Sequence, residues 1–77
     1  MRFFLHVHDD IIATDEEGAD LPDAEAAKEY ARAAARELIC DQARAGLVNL
    51  DHRIEIETES HAHVATIWFR EAVQFQP

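Results

Sequence analysis

Hydrophobic and polar residues alternate through the first eight positions. Phe3, Leu5 and Val7 fall on one side of an extended chain, and Phe4, His6 and His8 on the other. This predicts a strand over about residues 2–8 with one apolar face. Asp9 and Asp10 favour a turn, after which "IIAT" predicts a short second strand over 11–14. The acidic stretch "DEEGADLPD" reads as a turn and an approach to a helix. Gly18 is free to adopt positive φ there, and Asp23 is placed to cap the amides that follow.

From Asp23 to Ala45 the period changes to that of a helix, and Gly46 supplies its stop. Ala27, Ala31, Ala34, Leu38 and Ala45 fall along one stripe, with Ala24, Tyr30 and Ala35 at its margins. A stripe of alanines lets a helix lie close to a sheet. Glu25 with Lys28, and Glu29 with Arg32, have the spacing of weak ion pairs along the outer helix surface. Alternation then returns. Residues 52–58 place Ile54 and Ile56 opposite Arg53, Glu55 and Glu57. Residues 63–70 place His63, Ala65, Ile67 and Phe69 opposite Val64, Thr66 and Trp68. The tail "QFQP" is expected to fray unless Phe75 docks.

The order strand, strand, helix, strand, strand predicts an α+β fold. It is a two-layer ββαββ domain spanning residues 1–77, with one long helix packed on a small, mainly antiparallel sheet. One helix covers one face of such a sheet. The other face is left to Phe4, His6, His8, Glu55, Glu57, Val64, Thr66 and Trp68, and apolar groups on an open face mark a partner or self-association surface.

Charge narrows the function. Sixteen acidic residues stand against seven basic ones, for a formal charge of −9. That balance repels nucleic-acid phosphates and anionic membranes and favours a basic partner. Cys40 is the only cysteine, so no intrachain disulfide forms. No stretch approaches the roughly 18 apolar residues of a membrane span. The opening "MRFFLHVHDD" reaches histidines and acids too soon for a signal peptide, so a cytoplasmic protein is expected.

Three stretches, "RFFLHVHD", "DEEGADLPDAEAAKEYARAAARELI" and "IEIETESHAHVATIWFREAV", cover nearly the whole chain. Together they resemble a bacterial family of short domains of unknown function. Its members open with an aromatic-aromatic-x-His-Val-x-Asp strand, pass through an Asp-Glu-Glu-Gly turn and a Leu-Pro-Asp helix start, and close on a Val-x-Phe-Arg-Asp-Ala-like strand. The resemblance implies no activity. His6 matches the family's histidine. His8 stands where a basic residue is usual, His61 where the last hairpin usually turns on glycine, and Trp68 where proline is common.

Residues i and i+2 of a strand share a face, so His6 and His8, with Asp9, are the candidate ligands of a metal such as zinc. The competing reading, solvated histidines paired with Glu55 or Glu57, asks for less, because a specific site needs three or four convergent ligands. The acidic turn matches no calcium-loop spacing. Gly18 and Gly46 are the only glycines, which excludes a glycine-rich phosphate loop. Neither an enzyme nor a cofactor is expected. The expected function is a non-enzymatic protein-interaction or regulatory module, with possible homodimerisation, acting through Phe4, His6, His8, Val64 and Trp68. The alternatives are a histidine-based metal-binding module and an acidic, antitoxin-like or DNA-mimicking inhibitor of a basic protein.

Overall fold

The computed structural model describes residues 1–77. Its elements are β1 (Arg2–His8), β2 (Ile12–Ala13), β3 (Ala19–Asp20), α1 (Ala24–Ala45), β4 (Arg53–Thr58), β5 (His63–Trp68) and α2 (Phe69–Ala72). The sheet is antiparallel throughout, in the order β2-β1-β4-β5, and β3 joins the same edge of β1 as β2. The α+β class expected from the pattern is the class observed.

Helix α1 begins where Asp23 accepts the Ala26 amide at 2.8 Å. It ends where Gly46, at φ 94°, turns its amide back onto the last helical carbonyls. Ala27, Ala31, Ala35 and Ile39 are its buried row, each four residues from the last. This corrects the expected stripe. Ala35 lies at its centre, Ala34 and Leu38 are only partly buried, and Ala45 and Tyr30 are exposed. Positions four residues apart advance by about 40° per step around a 3.6-residue helix, so this row is the inclined i±4 ridge of α1 laid across the sheet.

The alanines bring the helix backbone close to Phe3, Ile54, Ile56, Ile67 and Phe69, which complete the core with Ala72. Helix α2 packs on the same side. Its Phe69 and Ala72 are buried, and the Ala72 carbonyl accepts from Arg36 of α1 at 2.7 Å. The last strand, expected to run to residue 70, therefore stops at Trp68, because turning there buries Phe69 beneath α1. The tail does not dock, and Phe75 is exposed. The expected second strand is reduced to Ile12–Ala13. After it the chain leaves the sheet and returns as β3, which the reading of residues 15–23 as a turn had missed.

Two glycines carry positive φ and differ in what surrounds them. A Cβ on Gly18 (φ 75°) would sit 2.8 Å from the Phe3 carbonyl oxygen, whereas one on Gly46 would meet nothing within 4 Å. Gly46→Ala should therefore destabilise the domain by about 1 kcal/mol, the backbone contribution alone. Gly18→Ala should lose roughly 2–4 kcal/mol, because β1 must also move. Urea unfolding of the two variants checks the order, and equal losses would refute it.

Candidate functional site

Both helices lie on one face of the sheet, and the candidate site is the other. The β1–β4 register sets His6 opposite Glu55, Phe4 opposite Glu57 and His8 opposite Arg53. The β4–β5 register adds Thr66 and Trp68 beside Glu55 and Arg53. Opposed residues of an antiparallel pair share a face, so these groups form one continuous band.

The band is organised from the edge. Between β2 and β3 the chain bulges away from β1, and the Asp15 carboxylate fills the gap. It accepts the Leu5 amide at 3.1 Å and closes its own turn by accepting the amides of Glu17 at 3.2 Å and Gly18 at 3.0 Å. Desolvation alone would raise the Asp15 pKa, but the Gly18, Leu5 and Glu17 amides together outweigh it and hold the carboxyl below its ordinary value.

The Asp15 amide in turn donates to Nδ1 of His6 at 3.0 Å. A backbone N–H can only donate, so Nδ1 of His6 is unprotonated and the ring hydrogen sits on Nε2, which donates to Glu57 at 2.9 Å. Glu57 also receives Nδ1 of His61 at 3.3 Å. Hydrogen bonds from His6 and then His61 hold its carboxyl below the ordinary range. The rings of His6 and His61 both stack with Phe4, at centroid distances of 6.4 and 5.7 Å. These contacts accompany a left-handed backbone at His61, φ 67°, in the hairpin turn.

At the far end of the band the Arg53 guanidinium lies 5.4 Å from the centroid of the Trp68 ring, reaches Glu55 at 3.3 Å and donates to Nδ1 of His8 at 3.2 Å. Trp68 is consequently half-buried rather than bare. Two expected positions change. A β-bulge between Ile56 and Glu57 of the β4–β5 register leaves Val64 without a direct partner. Val64 therefore packs towards the core, and His63 moves to the open face, where it bonds Thr66 at 3.1 Å and lies 3.5 Å from Glu55. Strict alternation cannot register an inserted residue.

The metal candidates are not brought together as a ligand set. Both ring nitrogens of His6 are engaged, Nδ1 of His8 takes the Arg53 guanidinium, and Asp9 folds back onto the Ile11 amide at 2.9 Å. Nowhere do three or more His, Cys, Asp or Glu side chains converge as a metal ion requires. Cys40 is exposed on the outer surface of α1. The largest surface depression, about 350 Å³, is also there, among Glu37, Cys40, Asp41 and Arg44, and no histidine lines it.

His52 was overlooked in the sequence. It is buried, its ring meets Phe69 edge-on at 5.6 Å, and its Nδ1 lies 2.9 Å from the Gln42 amide nitrogen. Gln42 Oε1 accepts the Asn49 amide, which turns the Gln42 NH₂ towards the ring and makes Nδ1 of His52 an acceptor too. The signal was present, because His52 shares the parity of Ile54 and Ile56.

The chain belongs to the family described as a domain of unknown function, DUF6894, whose model matches residues 2–70. No curated protein and no solved structure matches it.

Two measurements follow from this geometry. Long-range ¹H–¹⁵N spectra at neutral pH should show His6 and His52 as Nε2–H tautomers, and an Nδ1–H signal for His6 would break the link to Asp15. The acid limb of stability should depend on Asp15 and Glu57. Both titrate lower in the folded chain than their ordinary 3.8 and 4.5, so the stability they add is complete above about pH 4.5 and is lost as pH falls through the folded values. Asp15→Ala should cost roughly 2–3 kcal/mol at neutral pH, with Leu5 left lacking an acceptor, and Asp15→Ala with Glu57→Gln should flatten the acid limb. Urea midpoints between pH 7 and pH 3 read both effects.

Proposed function

We propose that this chain is a small non-enzymatic interaction domain, regulatory in character, that meets a partner protein through the open face of its sheet. Phe4, His6, His8 and Trp68 are its contacts. One observation carries the reading: α1 and α2 pack on the same side, so the opposite face is uncovered although it holds two aromatic rings and a connected set of histidines. Its side chains are already held in place. His6 is fixed from both nitrogens and Trp68 by Arg53, so little side-chain freedom is left to lose on binding. Aromatic and arginine groups within a polar surround are also the composition of interface centres.

No helix is long and apolar enough to cross a membrane. The exposed thiol of Cys40 fits a reducing compartment, and hence a cytoplasmic setting.

A second reading, an acidic inhibitor of a basic protein, draws on the other edge of the sheet. Residues 3–27 hold eight acidic residues and neither lysine nor arginine. Binding of that kind would weaken steeply with salt, whereas binding through the open face would not.

Affinity co-purification of the tagged chain from its native cells should recover a partner that is lost with Phe4→Ser/Trp68→Ser and retained with substitutions on the outer surface of α1, such as Glu37→Ala. Circular dichroism confirms the fold of each variant. A partner retained by the double variant would exclude the open face.

A further inference from the structure

The two edges of the sheet are built differently. On one side β1 is covered only by the two-residue strands β2 and β3, separated by the Asp15 bulge and set among acids. Short strands, a bulge and charge are the devices that keep an edge from pairing. The other edge is β5, six residues long, and it has almost none of them. From Ser60 to Phe69 there is no acidic residue, no lysine and no proline, in a chain that carries 16 acids. The Val64 bulge interrupts only its first half.

The hydrogen-bonding phase shows what this edge offers. Phe69 donates its amide to the His52 carbonyl. In the same register Ile67 opposes Ile54 and Ala65 opposes Ile56, so the main chains of Ile67 and Ala65 face β4. The N–H and C=O of Thr66 therefore turn outward, at the middle of the regular stretch.

We propose that β5 pairs antiparallel with β5 of a second copy of this chain, about a two-fold axis near Thr66, joining the two sheets and their open faces into one. Charge selects a second copy in this arrangement. A chain of charge −9 repels itself over most approaches. Edge-to-edge pairing through β5 brings together the acid-free stretches and sends the two acidic edges to opposite ends of a sheet eight strand positions wide. At ordinary strand spacing those ends lie about 34 Å apart, several times the roughly 8 Å screening length at physiological salt. The two Thr66 side chains then face each other on the open face, a favourable cross-strand pair. This pairing goes beyond the interaction reading and does not require it, because it uses the edge and leaves Phe4 and the histidines uncovered.

Sedimentation equilibrium and backbone amide exchange test it. At roughly 100 µM, well above a micromolar dissociation constant, the wild type should sediment at twice the 8.7 kDa of the chain. The Thr66 amide should then be protected, and its protection should fall on dilution. Thr66→Pro removes an outward N–H, together with the exposed contact of the Thr66 hydroxyl with His63, and should give a folded monomer. Thr66→Lys, which places a charge on the edge, should weaken the dimer at least tenfold and serves where the proline variant does not fold. A wild-type monomer at that concentration, or a Thr66 amide that exchanges freely, overturns the proposal. A dimer that survives both substitutions but is lost with Phe4→Ser would place self-association on the open face instead. Loss of a captured partner with an intact dimer, or the reverse, separates this proposal from the interaction reading.

Discussion

The amide of Leu5 lies in the middle of β1 and needs an acceptor on the side where β2 has ended and β3 has not begun. Asp15 supplies that acceptor with its side chain, and much of the candidate site follows. Fixing the Asp15 carboxylate fixes its amide, which selects the His6 tautomer, which aims an N–H at Glu57. Glu57 anchors His61, and the two imidazoles bracket Phe4. A gap in an edge strand is thus converted into the positioning of groups two strands away. Each step is a donor meeting an acceptor that has no better partner, so the chain of bonds has one self-consistent assignment.

The second constraint is thickness. The molecule is a slab whose shortest dimension is 16 Å, enough for one sheet and one helix. With only ten buried apolar side chains, the core gains its stability by close approach, which the alanine row of α1 permits. Small residues at the helix interface let Phe3, Phe69, Ile54 and Ile56 reach the helix backbone and leave no space between the layers. In so thin a slab the core-facing and open-facing residues of β1 and β4 alternate on the same backbone. The rigidity of the Ile54–Ile56 side is therefore also the rigidity of Arg53, Glu55 and Glu57.

Much of this fold was legible because its large elements obey simple periods. The helix from Asp23 to Gly46 has clear caps, and the alternation of Phe3, Leu5 and Val7 against Phe4, His6 and His8 survives intact. What was not legible depends on events that break a period. The Val64 bulge exchanges the faces of Val64 and His63, and no alternation rule registers an inserted residue. Strand β3 is two residues long and exists because Gly18 and Asp15 return the chain to β1, a tertiary effect without a local pattern. Trp68 was read as bare apolar surface because its cover, Arg53, comes from the neighbouring strand. His52 was the avoidable omission, since its parity with two buried isoleucines already pointed inward.

The pairing of β1 with β4 joins Phe3 to Thr58, so the two central strands of the sheet are separated in sequence by both short edge strands and the whole of α1. Nothing synthesised before β4 can replace it, since β1 otherwise meets only the four residues of β2 and β3. On a ribosome the first strand must therefore wait for its long partner until residue 58 has been made, with only α1 and the short edge strands to shelter its apolar face. A pairing this distant in sequence carries a large loop-closure cost, which slows folding relative to a domain held by local contacts.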